Sequence, residues 1–301
     1  MTGMSDDVLR VGLVGAGPWA QAVHGPGLAA HPGTELAGVW ARRPEAAAEL
    51  AGALGATAVG DVDELISGVD AVAFAVPPAV QGELAIRAAE AGRHVLLEKP
   101  VADSLQSAKA VAHAVDAAGV ASLVVFVRRF APETRAWLEQ VRAGGAWAGA
   151  SARWLSGALL GGAYSESAWR QDGGALADVG PHLLDLLDAA LGPVVEVLSA
   201  HRTEPDLWHL VLRHEGGASS TASLSMRLPM RPTVTDVAVY GDAGYLELPG
   251  RATPAAECYS ALLDDFTALV RDGRTEHPLD VHRGVRVQQT LDAVLRVVEG
   301  R

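Results

Sequence analysis

A run of small residues that directly follows an apolar segment is the feature that most constrains the fold of this chain. Residues Val8 to Val14 have the composition of a buried strand, and the next six are Gly15-Ala16-Gly17-Pro18-Trp19-Ala20. Small residues let the backbone turn tightly and approach a pyrophosphate, which the N-terminus of the next helix stabilises. Because Pro18 suits a first helical turn, the pattern predicts a dinucleotide-binding βαβ unit rather than an ordinary strand-to-helix turn. The predicted cofactor contacts in this run are Gly15, Gly17, Pro18, Trp19 and Ala20.

The order of strand and helix signals predicts two domains. In residues 1–121, short apolar strands alternate with helical stretches, which is typical of a Rossmann domain with a parallel sheet covered on both faces. In residues 122–301 the texture changes, and Thr221 to Leu228 alternates strictly between apolar and polar residues, as strands of an antiparallel sheet do. A hairpin is predicted around Gly241-Asp242-Ala243-Gly244. We therefore expect an α/β protein whose second domain is α+β.

Charge and cysteine content exclude several classes of protein. The 301 residues carry 24 Lys and Arg against 36 Asp and Glu, and the net charge of -12 argues against nucleic acid as a partner. A single cysteine, Cys258, excludes an intramolecular disulfide and indicates a reducing compartment. The start of the chain lacks signal-peptide features, and no window approaches about eighteen apolar residues, so we expect a cytoplasmic protein without a membrane span. No cluster of His, Cys, Asp or Glu has metal-ligand spacing, so no metal is predicted.

The end of the second predicted strand bears on which dinucleotide is bound. An NAD site uses a carboxylate roughly 20 residues after the glycines to bind the ribose hydroxyls. This chain has Trp40-Ala41-Arg42-Arg43 instead. Arg42 and Arg43 could bind a 2′-phosphate through charge-assisted hydrogen bonds, although a pair of arginines in a loop is often only a solvated surface feature. We predict NADP(H) before NAD(H), with Ala41, Arg42 and Arg43 at the adenosine ribose.

Two further stretches carry residues suited to hydride-transfer chemistry. The strand His94 to Leu97 ends in Glu98-Lys99-Pro100. Ligands of open α/β sheets lie beyond the carboxyl ends of the strands, so Lys99 is predicted near the cofactor, where an ammonium can polarise a substrate oxygen. A surface ion pair between Glu98 and Lys99 is an equal alternative.

The second stretch runs from Gly173 to His182. Asp178 and His182 are four residues apart at the predicted start of a helix, so both side chains can face one pocket. A histidine titrates near neutral pH and can accept the proton of a hydroxyl as the hydride leaves.

Together these motifs resemble the glucose–fructose oxidoreductase, inositol dehydrogenase and MocA family over nearly the whole chain. The resemblance rests on the N-terminal fingerprint and on four further motifs, which are Val76-Pro77-Pro78, Glu98-Lys99-Pro100, Trp169-Arg170 and Asp178-x-Gly180-x-His182. It implies that the second domain binds substrate and has a large, open, mostly antiparallel sheet, which serves as the interface of a homodimer or homotetramer. It also implies a catalytic Lys99, a proton-transferring His182 and an assisting Asp178, with Trp169 and Arg170 at the nicotinamide and the substrate.

The chain departs from the family pattern at one position near the cofactor. Gln81 stands where relatives often have a histidine, and we expect it, with Val76, Pro77, Pro78 and Glu98, on the cofactor side. Tyr164 and Arg129 are candidate substrate contacts, although a packed tyrosine and a surface arginine are the alternatives.

The motifs together predict a class of reaction. We expect an NADP(H)-dependent oxidoreductase that transfers a hydride between nicotinamide and a hydroxyl or carbonyl carbon of a sugar, a cyclitol or a related small polar molecule. Two alternatives stay open. One is a redox-neutral, NAD-dependent glycosidase of the same fold, and the other is a non-catalytic sensor or co-regulator that binds a dinucleotide.

Overall fold

A computed structural model describes residues 8–300 of the chain. Residues 1–7, on which the prediction about a signal peptide partly rests, lie outside the described residues, as does residue 301. The strands are β1 (Leu9–Val14), β2 (Thr34–Trp40), β3 (Thr57–Ala58), β4 (Ala71–Phe74), β5 (His94–Leu97), β6 (Ser122–Val124), β7 (Gly149–Leu155), β8 (Val194–Thr203), β9 (Leu207–His214), β10 (Ser219–Ser225), β11 (Val234–Gly241) and β12 (Gly244–Leu248). The α-helices are α1 (Gly25–Ala30), α2 (Pro44–Leu54), α3 (Val62–Ser67), α4 (Pro78–Glu90), α5 (Leu105–Ala118), α6 (Pro132–Ala143), α7 (Ala168–Asp178), α8 (Gly180–Leu191), α9 (Ala255–Arg271) and α10 (Val281–Glu299).

The first sheet has the strand order β3-β2-β1-β4-β5-β6, and all of its strands are parallel. Its central strands are apolar and buried, with Leu13, Phe74 and Leu96 at 0% exposure, because helices cover both faces of such a sheet. The strand order reverses between β1 and β4, which is where open α/β sheets bind their ligands. The predicted Rossmann domain is confirmed, and the carboxyl ends of β1, β2, β4 and β5 meet at one edge.

The chain forms two compact units, and the first is discontinuous in sequence. Among the described residues it comprises 8–127 together with Ala255–Val285, whereas the second comprises Arg128–Pro254 and residues 286–300. This grouping differs from the predicted division at residues 121 and 122, because α9 packs against the first unit. A Cβ atom on Gly27 of α1 would lie 2.5 Å from Cδ1 of Tyr259 on α9, so these helices are in close contact.

The second sheet has the order β12-β11-β7-β10-β9-β8. Only the β7–β10 pairing is parallel, and the others are antiparallel, so the predicted mostly antiparallel sheet is confirmed. Ala222 and Leu224 of β10 are buried while Thr221 is exposed, as the alternation predicts. The predicted hairpin is present as β11 and β12.

The sequence pattern predicts a helix from about Asp178, but the structure has two helices, α7 and α8, on either side of Val179. Helix α7 is itself kinked at Gly174, whose φ of 59° lies in the left-handed region. The kink is stabilised by Asp206, whose Oδ2 accepts a hydrogen bond of 2.7 Å from the amide of Ala175. A Cβ on Gly174 would lie 2.5 Å from Oδ1 of Asp206, so only glycine fits beside this carboxylate.

Glu133, at the first turn of α6, holds the segment that follows β12. Its carboxylate accepts hydrogen bonds from the amides of Ala252 and Thr253, at 2.8 and 3.0 Å, and from the Thr253 hydroxyl at 2.7 Å. Burial of the Glu133 carboxyl acts to raise its pKa, but these hydrogen bonds outweigh burial and lower the pKa from 4.5 to about 2. The ionised carboxylate therefore stabilises the folded state.

We expect Glu133→Gln to lower the stability at pH 7 by about 1–2 kcal/mol, since hydrogen bonds to a charged group are lost. The folded-state pKa is depressed, so the contribution is fully present above about pH 4.5 and is lost as the pH falls towards about 2. Thermal unfolding of both proteins at several pH values tests this. The difference in Tm should narrow as the pH falls below 4.5, and a constant difference would contradict the assigned cause.

Within residues 8–300, no helix has both the length and the apolar character that crossing a bilayer requires.

Candidate active site

The turn after β1 has the shape that a dinucleotide pyrophosphate needs. Gly15 has a φ of 119°, and a Cβ there would lie 2.4 Å from the carbonyl oxygen of Ala75. A Cβ on Gly17 would meet no atom within 4 Å, so open space lies over the turn. Pro18 is exposed, Trp19 is half-buried and Ala20 is buried at the start of the following helix. These residues fit the cofactor predicted from the sequence.

The segment after β4 lies beside this turn. A Cβ on Gly15 would be 3.1 Å from Cγ1 of Val76, and the two prolines that follow start α4, with Pro77 as its N-cap. The structure thus brings the predicted contacts Val76, Pro77 and Pro78 to the same edge as the glycine turn.

The residues that follow β2 lie at this edge as well. Arg42 and Arg43 are exposed and Ala41 is half-buried. Arg43 is the N-cap of α2, whose first turn contains Pro44 and Glu45. Because β2 is parallel to β1 and pairs with it, the two guanidinium groups follow the strand end next to the glycine turn. Their charges are available to an anionic ligand.

Gln81 has a different place from the one expected. Its side chain is fully buried, and its amide nitrogen donates hydrogen bonds to the carbonyls of Glu98 (2.7 Å), Pro100 (3.3 Å) and Val101 (2.8 Å). Its amide oxygen accepts a hydrogen bond of 2.8 Å from the Glu98 amide. These bonds use both ends of the side-chain amide, so Gln81 holds the backbone of the Glu98-Lys99-Pro100 turn instead of facing a cofactor.

The Glu98 carboxylate is a hydrogen-bond centre in the first unit. Its Oε1 atom accepts hydrogen bonds of 2.8 Å from the indole N–H of Trp19 and from Nε2 of His24, and Oε2 accepts one of 3.2 Å from the Lys99 amide. The sequence left a surface ion pair with Lys99 as the alternative role of Glu98, whereas the structure shows a largely buried carboxylate that accepts these three hydrogen bonds. His24 was not singled out in the sequence, although it lies in the helix that the fingerprint opens.

In the second unit, Arg170 gathers three other predicted residues. Its Nε donates a hydrogen bond of 3.1 Å to Oδ2 of Asp178. Its guanidinium carbon lies 4.4 Å from the ring centre of Trp169 and 4.8 Å from that of Tyr164. Such cation–π contacts fix the orientation of a long side chain. The structure thus brings together Arg170, Asp178, Trp169 and Tyr164.

His182 lies against an aromatic residue that the sequence did not single out. Its ring stacks on that of Trp154 on β7, with centroids 5.6 Å apart and an interplanar angle of 18°. The guanidinium carbon of Arg128 is 5.2 Å from the centre of the Trp154 ring, and Arg128 is buried. The stack restricts the rotation of the His182 imidazole.

The Arg129 side chain is largely buried, and an ion pair with Asp185 occupies part of its guanidinium group. Its Nη1 donates hydrogen bonds of 3.0 and 3.1 Å to the two carboxylate oxygens of Asp185, and both side chains are largely buried. A buried ion pair of this kind is strongly destabilised when one partner is removed. The contact that the structure shows for Arg129 is therefore an ion pair within the protein. Asp185 could have been recognised from the sequence, since it lies one helical turn after His182.

Among residues 8–300, no group of three or more His, Cys, Asp and Glu side chains is arranged to hold a metal ion.

Comparison with known proteins assigns a family to both parts of the chain. Residues 9–126 match the model of the oxidoreductase family with an NAD-binding Rossmann fold, and residues 135–247 match the C-terminal domain of the GFO/IDH/MocA family. Among solved structures, the WlbA dehydrogenase from Bordetella pertussis, in complex with NADH and UDP-GlcNAcA, superposes with a TM-score of 0.85 at 26% identity. That match covers 97% of this chain and 96% of the other.

Two curated relatives match over shorter regions. D-glucoside 3-dehydrogenase of Escherichia coli is 32% identical over 66% of this chain and 58% of its own length. 4-carboxy-2-hydroxymuconate-6-semialdehyde dehydrogenase of Sphingobium is 37% identical over 41% of this chain. The match spans only 40% of that protein. With both family models matched in sequence order, the chain belongs to the glucose–fructose oxidoreductase, inositol dehydrogenase and MocA family of oxidoreductases.

Proposed function

We propose that this chain catalyses NADP(H)-dependent hydride transfer to or from a hydroxyl or carbonyl carbon of a sugar, a cyclitol or a related small polar molecule. The observation that carries the proposal is the position of Lys99. It follows β5 at the same sheet edge as the glycine turn after β1, and this is the edge at which open α/β sheets bind nucleotides.

The residues of the chain supply binding, charge and proton transfer. When bound, the nicotinamide supplies the hydride acceptor or donor. Gly15 and Gly17 leave room for the pyrophosphate, and the Lys99 ammonium stabilises negative charge on the substrate oxygen. His182 accepts the hydroxyl proton in oxidation and returns it in reduction. The proposed substrate-binding group is Arg170 with the three residues that it contacts, Asp178, Trp169 and Tyr164.

The sugar-type substrate is proposed from the chemistry of this group and from the relatives. Charged and aromatic side chains together suit a ligand with several hydroxyls and an apolar ring face. D-glucoside 3-dehydrogenase, which shares 32% identity over 209 residues, is named for such a substrate. The substrate within this class is a matter for a screen.

A screen of sugars and cyclitols with NADP(H) and NAD(H), monitored by absorbance at the reduced nicotinamide, tests the proposed function. Turnover of the dinucleotide with one of these compounds supports it. Release of an aglycone without net turnover would favour the redox-neutral glycosidase instead. Tight dinucleotide binding without any activity across the panel would favour the non-catalytic sensor.

The preference for NADP(H) is proposed from Arg42 and Arg43, whereas NADH in the WlbA structure supports NAD(H) as the alternative. We expect Arg42→Ala with Arg43→Ala to weaken NADPH binding about 10- to 100-fold, since hydrogen bonds to charged groups contribute about 1.5–3 kcal/mol each. NADH binding should change little. Adding Ala41→Asp to Arg42→Ala should shift the preference towards NADH, because the carboxylate can bind the ribose hydroxyls.

Fluorescence titration of both dinucleotides measures these affinities. A matched control is Arg271→Ala with Arg274→Ala, which removes two exposed arginines at the end of α9 and should leave both Kd values unchanged. Equal loss of NADPH affinity in the control would attribute the effect to net charge. If the Arg42 and Arg43 variant binds NADPH as the parent does, the 2′-phosphate lies elsewhere.

We further propose a homodimer or homotetramer formed through the second sheet. Its support is a sheet face on which Thr221, His209 and Arg153 are exposed in the single chain. A small polar substrate is the other proposed partner, and neither nucleic acid nor a membrane is. Cytoplasmic localisation is proposed from the single cysteine.

A further inference from the structure

One carboxylate connects the cofactor turn with the proposed catalytic lysine. Glu98 accepts the indole N–H of Trp19, which lies in the fingerprint turn, and also the backbone N–H of Lys99. The orientation of this carboxylate therefore affects both groups. A carboxylate can rotate about its side chain unless other donors hold it, so the remaining hydrogen bonds of Glu98 matter.

Two fully buried residues provide that restraint. Nε2 of His24 is 2.8 Å from Oε1 of Glu98, and Nδ1 of His24 is 2.9 Å from the hydroxyl oxygen of Tyr259. Both rings have 0% exposure, and their centroids are 4.8 Å apart. Tyr259, His24 and Glu98 thus form a continuous hydrogen-bonded row that ends at the Lys99 backbone.

The hydrogen bonds of this row are donated in one direction, from Tyr259 to His24 and from His24 to Glu98. Burial and the charge of Glu98 raise the pKa of Tyr259 well above its usual value, so its hydroxyl stays protonated. The hydroxyl can therefore donate to Nδ1 of His24, which leaves the proton on Nε2 to be donated to the carboxylate. Each hydrogen bond polarises the donor of the next one and thereby strengthens it.

The local fold is built around this row. His24 ends a π-helical segment, Ala20–His24, inserted between the glycine turn and α1. A π turn takes one more residue than an α turn and is frequent at functional sites. Tyr259 comes from α9, far along the chain, and its ring packs on Gly27, where any side chain would collide with it.

We propose that His24 and Tyr259 are positioning residues that fix the Glu98 carboxylate and, through it, the backbone and side-chain placement of Lys99. The proposal rests on the proposed function in that Lys99 is the catalytic residue. If His24 no longer donates, Oε1 of Glu98 keeps only the Trp19 indole as a donor, and the carboxylate can rotate more readily towards the Lys99 ammonium. An ion pair there would stabilise the charged form of the amine and draw the ammonium away from a substrate.

The chain has two lysines, Lys99 and Lys109, which makes a direct test practicable. Acetic anhydride acetylates only the neutral amine, so the labelling rate of each lysine against pH, followed by mass spectrometry, reports its protonation. Lys109 is exposed on α5 and is the internal reference. The variants are His24→Leu, His24→Gln and Tyr259→Phe, with Tyr245→Phe as control because its exposed hydroxyl also contacts a carboxylate.

We expect the ratio of Lys99 to Lys109 labelling at pH 8 to fall about 3- to 10-fold in His24→Leu, the range set by loss of one hydrogen bond. Tyr259→Phe should shift it about 2- to 3-fold in the same direction, since it weakens the row without breaking it. His24→Gln, which keeps a donor, should stay closer to the parent, and Tyr245→Phe should equal it. In active enzyme, kcat should follow the labelling ratio while the dinucleotide Kd changes less.

An unchanged Lys99 ratio in folded His24→Leu would overturn the proposal, and an unchanged ratio in folded Tyr259→Phe would do so if His24→Leu does not fold. Thermal unfolding identifies variants that fail to fold. If both His24 variants fail to fold, Tyr259→Phe, which removes only one oxygen atom, decides the test. Labelling requires no substrate. A shifted ratio in a protein without dehydrogenase activity would therefore contradict the proposed function and leave the positioning role intact.

Discussion

Lys99→Ala is expected to lower kcat by about two to three orders of magnitude, the usual effect of removing one group that stabilises an oxyanion. The dinucleotide Kd should change little, because the pyrophosphate turn after β1 and the arginines after β2 are untouched. Rapid-reaction measurements with the substrate found in the screen would separate the chemical step from binding. Added alkylamines should restore part of the rate, since they can supply an ammonium to the vacated space.

Lys109→Ala is the matched control for this change. It removes the other lysine of the chain, which is exposed on α5, and should leave kcat and KM as they are. A near-normal rate in Lys99→Ala would remove Lys99 from the chemistry. An equal loss of dinucleotide affinity and rate would mean that Lys99 acts in binding.

His182→Asn is expected to lower the rate of alcohol oxidation by about 100-fold or more near neutral pH, within the range of about 10²–10⁴ for general acid–base catalysis. Asparagine keeps a polar side chain beside Trp154 but cannot accept a proton. The limb of the pH–rate profile that reflects histidine titration should therefore flatten, and the residual rate should rise with hydroxide concentration.

His113→Asn is the control, since this histidine is exposed on α5. Its profile should match that of the parent protein. An unchanged neutral limb in His182→Asn would assign the proton transfer to another group. Trp154→Leu would then be informative about stacking alone, because it leaves the His182 imidazole present.

The features that the sequence predicts well depend on residues close together along the chain. Three such features are the glycine turn, the Glu98-Lys99-Pro100 turn and the β11–β12 hairpin. Each is formed by a few consecutive residues, and its backbone conformation limits the residue types that can occupy it. The strands next to these turns are predicted by short apolar runs. For that reason the Rossmann sheet and the second sheet are predicted correctly, as is the family.

The features that the sequence does not predict depend on partners far away along the chain. The kink in α7 requires Asp206, and the orientation of His182 depends on Trp154 of another element. The sequence motif places Gln81 on the cofactor side. Its hydrogen bonds to the carbonyls of Glu98, Pro100 and Val101 form only in the folded chain, so no local pattern indicates them. The same reason explains why the sequence pattern predicts α9 in the second domain, because no local pattern tells which sheet an amphipathic helix covers.

The return of residues 255–285 to the first unit has a consequence for biosynthesis. During translation the nascent Rossmann unit lacks α9, so the surface around His24 and Gly27 has no cover until residues 255–271 emerge. Completion of this unit thus waits for the synthesis of residues 128–254, which belong to the second unit, even though most of the first unit is made earlier. A rearranged chain in which residues 255–280, which end before α10, are joined to the start of β1 would place α9 next to the rest of the unit and allow them to fold together as they are synthesised.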